Sequence, residues 1–306
     1  MIGEIQSLRA RSARLANAAA PSAGTMIECE SGAIEYDESG QGPTVVLVPG
    51  SCGTGAAWRP IIAEWGQRFR CVTTSLLGYG RTAERRSVAD PDIRHEAEVV
   101  EAVIRWTGGP VHLVGHSFGG LVGVAVALRN QVPLLSLSIL EAPAPGFLRR
   151  MGEEAHFRSI REMTDRYFKA FEAGQPDAIA EMIDFYGGAG TFASWPQRVR
   201  DYAIASTPVN IRDWAVGYGY APDPEALAAL DLPTLVLWGE ASHPAVACTN
   251  ELLSRALRKS TIVTVRGAAH FMISTHPKEV ASAVAYNIAL SEGRRAGGGE
   301  RGYRPA

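Results

Sequence analysis

One stretch, VHLVGHSFGGLVGVAVAL at residues 111–128, restricts the fold more than any other part of the chain. It joins an apolar run typical of a buried strand to a run of small and apolar residues typical of a buried helix. Between them, Gly115 and Gly119 flank Ser117 in a G-x-S-x-G pattern. A strand that turns sharply into a helix needs small residues there, because the backbone packs closely and the serine Oγ is left exposed. The pattern therefore predicts a nucleophile elbow.

Strand-like and helical patterns alternate on both sides of this elbow. Residues 26–38 predict a hairpin, and residues 91–107 predict an amphipathic helix with apolar positions three or four apart. Further strands are predicted at residues 45–48, 70–76, 111–114, 134–140, 235–238 and 261–265. Regular alternation of this kind predicts an α/β fold, with a mostly parallel central sheet flanked by helices on both faces.

The alternation is interrupted once, between the strands at 134–140 and 235–238. Residues 143–230 contain helical patterns and no clear strand, which predicts a helical cap inserted into a core formed by residues 25–142 and 231–290. Residues 1–24, rich in Ala and Arg, are predicted to form a flexible N-terminal extension. The Gly- and Arg-rich residues 291–306 are predicted to be a disordered tail.

The GHSFGG elbow at residues 115–120, in this setting, resembles the cap-bearing members of the α/β-hydrolase superfamily over residues 26–290. The resemblance implies an α/β-hydrolase fold with the cap inserted after the sixth strand. It also implies a catalytic triad in the chain order Ser, acid, His. Ser117 would be the nucleophile. His270, just after the last predicted strand, would be the base, and His243 is the lesser competitor for that role.

The acid is missing from the place where the family most often has it, a few residues after the strand at 235–238. Ser242 occupies that position, and a serine cannot carry the charge that stabilises an imidazolium. The superfamily also places the acid after the preceding strand, where this chain has Glu141, at the same sheet edge as Ser117. The prediction therefore favours Glu141, with Glu240, or neither residue, left as alternatives.

An oxyanion hole requires two backbone N–H donors near the nucleophile. The resemblance implies one from Phe118, directly after the nucleophile, and one from the loop PGSCG at residues 49–53. By position Ser51 is the better second donor and Cys52 is its neighbouring alternative. Many relatives read His-Gly where this chain has Pro-Gly, but the donor is a main-chain amide, so this change need not abolish the hole.

The insertion is rich in aromatic residues, which predicts an apolar pocket beneath it. Tyr186, Trp195 and Trp214 from the insertion, together with Trp58 from the core, are predicted to line this pocket. The chain is therefore expected to be a serine hydrolase that cleaves a small apolar carboxylic ester or lactone through an acyl-enzyme. The first alternative is a carbon–carbon bond hydrolase or a cofactor-free oxygenase or lyase. The second is a small-molecule binding protein on the same scaffold.

Composition restricts the partners. The net charge of −2, from 30 basic and 32 acidic residues, shows no bias towards nucleic acid or a membrane surface. The four cysteines form no C-x-x-C pair, and no phosphate-binding loop or metal-ligand set is present. We therefore expect a cytoplasmic protein with an apolar small-molecule substrate and without a cofactor, a metal, or a nucleic-acid or membrane partner; a homodimer is left open.

Overall fold

The computed structural model of the chain describes residues 25–29, 32–87 and 89–299, so the predicted N-terminal extension lies outside the described residues. Within them, eight strands form one sheet: β1 (Thr25–Cys29), β2 (Gly32–Ser39), β3 (Thr44–Val48), β4 (Arg70–Thr74), β5 (Val111–His116), β6 (Leu134–Leu140), β7 (Thr234–Gly239) and β8 (Ser260–Val265). The strand order is β1-β2-β4-β3-β5-β6-β7-β8. Only the pairs β1–β2 and β2–β4 are antiparallel. The predicted mostly parallel sheet is confirmed.

Helices follow most strands. They are α1 (Arg59–Trp65), which continues a short 3-10 turn at Gly55–Trp58, α2 (Arg94–Thr107), α3 (Phe118–Arg129), α4 (Pro145–Arg150), α5 (Glu154–Glu172), α6 (Ala180–Gly187), α7 (Thr191–Ser194), α8 (Gln197–Ala205), α9 (Thr207–Gly219), α10 (Pro224–Ala229), α11 (Pro244–Ala256), α12 (Met272–Thr275) and α13 (Pro277–Gly299). Among the described residues, no helix is both long and apolar enough to cross a bilayer.

Strand β3 shows how the core is divided between the two faces of the sheet. Val46 and Val48 join the apolar cluster that contains residues of α2 and α3, whereas Val45 and Leu47 join the cluster that contains residues of α1 and α13. Successive side chains of a strand point to opposite faces, so a strand buried on both faces reads as a continuous apolar run. This explains why TVVLV has no polar alternation.

Seven of the described helices, α4 to α10, lie between β6 and β7; we call residues 145–229 the helical insert. The insert has an apolar cluster of its own, which includes Leu148, Tyr167 and Trp214 and also reaches Val246 on α11. The insert therefore packs against the core at the end of the sheet where β6 and β7 end.

The predicted disordered tail at residues 291–306 is wrong as far as residue 299, because α13 continues to Gly299. Ser291 is buried, and its hydroxyl donates to the carbonyl oxygen of Asn287. The Asn287 amide in turn donates to the Leu137 carbonyl oxygen and the Ser138 hydroxyl on β6. These contacts anchor the helix past residue 290. Residues 300–306 lie outside the described residues.

Candidate active site

Ser117 occupies the turn between β5 and α3 with φ 55° and ψ −128°, in the region where a side chain is strained. The flanking glycines have a steric reason. A Cβ on Gly115 would lie 2.2 Å from the carbonyl oxygen of Gly119, and a Cβ on Gly119 would lie 2.3 Å from the carbonyl oxygen of Pro49. No side chain fits at either position, so the strained turn requires both glycines.

His270, in the loop between β8 and α12, faces this serine. Its Nε2 lies 2.9 Å from Ser117 Oγ, and the residue is 3% exposed. The neighbouring His116 donates from Nε2 to the carbonyl oxygen of His270 at 2.9 Å. Burial, assisted by the charge of His270, lowers the pKa of His116 to about 3, so its ring is neutral and can keep this donor bond. The His116 ring therefore helps to fix the backbone of His270.

The acidic partner of His270 is Glu141, which directly follows β6. Its Oε1 lies 2.9 Å from His270 Nδ1. The carboxylate is fully buried, and its Oε2 accepts hydrogen bonds from the Gly239 amide at 3.0 Å and from the Ser242 hydroxyl at 2.5 Å. Three donors thus compensate the desolvation of a buried carboxylate. The structure brings the predicted Ser117, His270 and Glu141 together in one hydrogen-bonded chain.

The two competing residues lie elsewhere. Glu240 is exposed, and its Oε2 accepts a hydrogen bond from the Gly267 amide at 2.9 Å rather than from His270. His243 caps the N-terminus of α11 through its Nδ1, and its ring stacks on Phe185 at a centroid distance of 3.9 Å. Both residues therefore have local structural roles close to the site.

The loop after β3 lies directly against the nucleophile. A Cβ on Gly50 would lie 2.7 Å from the Ser117 Cβ, so only glycine allows this approach. Cys52 has φ 57°, and both it and Ser51 line the cavity beside the nucleophile. The Ser51 hydroxyl donates to a carboxylate oxygen of Asp213 at 2.6 Å.

A cavity of about 410 Å³ opens above Ser117 and His270, between the sheet edge and the insert. Tyr186, Trp195 and Trp214 line it, as do Ser51 and Phe118. Most of the remaining lining is apolar and includes Met182, Ile183, Val199, Phe271 and Ile273.

The prediction that Trp58 lines this cavity is wrong. Trp58 is fully buried in the core cluster with Ile61 and Leu47, and its neighbour Ala57 lines the cavity instead. The 3-10 turn at Gly55–Trp58 directs the large ring into the interior between α1 and the sheet. Its apolar area is therefore buried in the core and not offered to a ligand.

Tyr186 carries an unusual polar group in this cavity. The residue is 5% exposed, its ring centroid lies 4.4 Å from that of His270, and its hydroxyl has no hydrogen-bond partner among the described residues. Burial raises the pKa of Tyr186 well above its ordinary value, so the hydroxyl keeps its proton. A buried hydroxyl without a partner is costly, so it lowers the stability of the fold at this position.

Residues 45–283 of the chain match the Alpha/beta hydrolase family. The chain belongs to the alpha/beta hydrolase family. A 2-hydroxy-6-oxo-6-(2'-aminophenyl)hexa-2,4-dienoic acid hydrolase of Metapseudomonas resinovorans is 26% identical over 265 residues, which cover 81% of this chain and 84% of the relative. A pimeloyl-[acyl-carrier protein] methyl ester esterase of Aeromonas hydrophila is 26% identical over 251 residues, covering 80% and 95% respectively.

Solved structures agree on the fold of this alpha/beta hydrolase. A thermophilic esterase from Thermogutta terrifontis superposes with a TM-score of 0.69 at 24% identity, covering 88% of this chain and 99% of that one. At this identity the likeness bears on the fold alone. It supports the sheet and helix arrangement described above.

One cluster of metal-ligating side chains lies outside the cavity of this alpha/beta hydrolase. Glu153, His156 and Cys248 bring one ligand atom each to within 4.8 Å of one another, and among the described residues this is the group that could hold an ion. Burial, with the nearby charges of Glu153 and Glu251, raises the pKa of the Cys248 thiol to about 11. We assign no role to this cluster.

Neutral His116 makes the stability of this alpha/beta hydrolase depend on pH. Its pKa of about 3 in the fold lies below the ~6.5 of an unfolded histidine, so the unfolded chain binds more protons between these values. The free energy of unfolding that neutral His116 contributes is fully present above about pH 6.5 and decreases by about 1.4 kcal/mol per pH unit below it. Between pH 7 and pH 5, we expect the free energy of unfolding to fall by about 2 kcal/mol less in His116→Gln than in the parent protein. Urea unfolding at both pH values measures this, and equal losses in the two proteins would contradict it.

Ser242 donates to the carboxylate that holds His270, so its removal should weaken the site without dismantling it. We expect Ser242→Ala to lower kcat by about tenfold, because a charge-assisted hydrogen bond to Glu141 is lost. Steady-state kinetics on a p-nitrophenyl ester measures the effect. Ser260→Ala, which removes another half-buried hydroxyl that bonds a main-chain carbonyl, is the matched control and should leave kcat unchanged. Equal effects of the two substitutions would count against a role for Ser242.

Proposed function

We propose that the chain is a serine hydrolase that cleaves a small apolar carboxylic ester or lactone through an acyl-enzyme. The observation that carries this proposal is the unbroken hydrogen-bonded chain from Ser117 Oγ through His270 to the buried Glu141, at the floor of an apolar cavity. The named relatives include a methyl ester esterase, which supports ester cleavage.

In the acylation step, Ser117 Oγ attacks the ester carbonyl carbon while His270 Nε2 takes the hydroxyl proton. Glu141 accepts the hydrogen bond from His270 Nδ1, which fixes the tautomer and stabilises the imidazolium. The negative charge that develops on the carbonyl oxygen is stabilised by the N–H groups of Phe118 and Ser51. His270 then gives the proton to the departing alcohol oxygen, and the acyl group remains on Ser117.

In the second step, a water molecule takes the position of the departed alcohol. His270 accepts its proton as the water oxygen attacks the acyl carbon, and the same two amides stabilise the second oxyanion. Collapse of this intermediate returns the proton to Ser117 and releases the carboxylic acid. No group beyond the chain's own residues and water is required.

The cavity limits the substrate class. Its volume of about 410 Å³ lies at the lower end of the range typical of small-molecule sites, and its walls are aromatic and aliphatic. The helical insert covers the sheet edge as a cap would, so we regard residues 143–230 as the cap. Within the described part of the chain, no cluster of cationic side chains lines the cavity, which favours a neutral ester over an anionic one.

The unpartnered Tyr186 hydroxyl predicts that its removal does not destabilise the fold. We expect Tyr186→Phe to unfold at an equal or higher temperature than the parent, since a buried unsatisfied hydroxyl is removed and the ring beside His270 is kept. KM for p-nitrophenyl esters should stay within about twofold of the parent, because the apolar wall of the cavity is unchanged. Thermal unfolding and steady-state kinetics measure the two quantities. A clearly lower melting temperature of the variant would contradict this prediction.

A second candidate function is the hydrolysis of a carbon–carbon bond next to a ketone. The relative named as a hydrolase of an oxo-dienoic acid supports it, since it matches four fifths of this chain. The same serine, histidine and oxyanion donors would serve either reaction. Parallel assays with an aliphatic ester, a lactone and a ring-cleavage oxo-dienoic acid discriminate between the two candidates by their kcat/KM values.

The direct test of the proposal is labelling with a fluorophosphonate, which reacts with activated serines, followed by mass mapping of the modified peptide. We expect one label, on Ser117, together with turnover of p-nitrophenyl butyrate that the label abolishes. Heat-denatured protein is the control for non-specific reaction. Labelling of another residue, or no labelling of the native protein, would overturn the proposed nucleophile.

A further inference from the structure

A buried acidic residue of the insert contacts the loop that we assign to the oxyanion hole. Asp213 on α9 is 3% exposed. Its Oδ2 accepts hydrogen bonds from the Ser51 hydroxyl at 2.6 Å and from the Tyr79 hydroxyl at 2.6 Å, and its Oδ1 accepts one from Arg86 Nη1 at 2.7 Å. Three donors from two loops of the core, one after β3 and one after β4, thus converge on one carboxylate of the insert.

Arg86 is the centre of charge in this group, and its side chain is 1% exposed. Besides Asp213 it contacts Glu84 at 2.6 Å and Glu96 at 2.9 Å. Burial raises the pKa of Asp213 and raises that of Glu96 to about 8, while the charge of Arg86 opposes both shifts. Buried ion pairs contribute little net stability, so an arrangement this costly to desolvate calls for a reason other than stability.

The position of Ser51 supplies such a reason. Gly50 lies in close contact with Ser117, and Cys52 has a positive φ, so the loop between them is tightly bent beside the nucleophile. The Asp213 carboxylate accepts directly from the Ser51 hydroxyl, in the middle of this loop. The orientation of the Ser51 amide is therefore held from the insert.

We propose that Asp213 is a positioning residue for the oxyanion hole, which it fixes through the Ser51 hydroxyl, so that the hole is complete only while α9 is seated on the core. The inference rests on the proposed function, because it assigns the Ser51 amide as a donor to the oxyanion. Arg86 has a defined part: a bare carboxylate near the developing oxyanion would repel it, and the guanidinium 2.7 Å from Asp213 offsets part of that charge. The insert thereby supports the reaction in addition to covering the cavity.

Small changes in the direction of an oxyanion donor act on the transition state more than on substrate binding. Ser51→Ala removes only the hydroxyl and keeps the amide. We expect it to lower kcat by about 10- to 30-fold, less than loss of a whole donor, with KM within twofold. Asp213→Asn should lower kcat by at least as much. Ser51→Thr, which keeps a hydroxyl, should restore kcat to within about threefold of the parent. The double variant Ser51→Ala/Asp213→Asn should be no slower than Asp213→Asn, because the two residues act through one contact.

The matched control is Ser136→Ala, which removes a buried serine hydroxyl on β6 that bonds His112 outside the cavity. We expect it to lower the melting temperature about as much as Ser51→Ala while leaving kcat unchanged. If Ser51→Ala also keeps kcat within twofold, Asp213 has only a structural role and the inference is overturned. Fluorophosphonate labelling separates this outcome from failure of the proposed function. If Ser117 of the Ser51→Ala variant is labelled at the parental rate, only the inference fails. If the parent protein itself is not labelled, both proposals fail.

Discussion

Replacing Ser117 with alanine is expected to lower kcat for p-nitrophenyl butyrate by on the order of 10⁴- to 10⁶-fold, the loss typical of a nucleophile that acts together with a histidine and an acid. The physical reason is that alanine has no oxygen to form the acyl-enzyme. The cavity and the oxyanion donors remain, so KM should change little. Stopped-flow and steady-state assays of the purified variant measure the residual rate.

The fold should tolerate this change well. Ser117 has a positive φ, and alanine has the same Cβ as serine, so the backbone strain is unchanged. Circular dichroism should show an intact protein. Ser254→Ala, which removes another buried serine hydroxyl on α11, is the control and should keep full activity. Normal turnover by Ser117→Ala, with the control also active, would exclude an acyl-enzyme on this serine.

The second large effect is expected for Glu141→Gln, which should lower kcat by about 10³- to 10⁴-fold, as losses of a triad acid do. Both carboxylate oxygens are acceptors, one for His270 and the other for Gly239 and Ser242. A glutamine must turn its NH₂ group towards one of these sets of donors. Either His270 loses the bond that fixes its tautomer, or two buried donors lose their acceptor.

Glu240→Gln is the matched control for the acid, because Glu240 lies beside the same strand end but is exposed and bonds the Gly267 amide. We expect its kcat to stay within about twofold of the parent, as surface substitutions usually allow. Rate measurements on the two variants discriminate between the alternatives. A large loss in Glu240→Gln together with near-normal turnover by Glu141→Gln would move the acid to Glu240.

The sheet could be predicted from the sequence because its parallel strands are buried on both faces and therefore read as short apolar runs. The tail could not. Residues 291–299 have a composition typical of disorder, but Ser291 and the preceding turns of α13 are anchored by buried polar contacts to β6. Trp58 shows the same limit, since aromatic character alone does not say whether a ring faces a cavity or the core.

The residues of the site also differ in how far the sequence predicts them. Ser117 and His270 follow from a local motif and from chain order, and Glu141 follows from the position of its strand. Asp213 carries no such signal: it lies in the insert outside any recognisable motif, and its proposed role depends on contacts with residues far away in the chain. Only the folded chain brings an insert carboxylate to the oxyanion loop.

Ser242 restricts where the catalytic acid can lie in this site. Its hydroxyl lies 2.5 Å from the carboxylate of Glu141, so an aspartate placed there while Glu141 remains would set two negative charges in one buried space. If Ser242 were kept and Glu141 were replaced by a neutral residue, His270 would have no acidic partner. Neither residue can therefore be exchanged alone at low cost. The two positions, each just after one of two neighbouring strands, are therefore coupled, and moving the acid from residue 141 to residue 242 requires both substitutions.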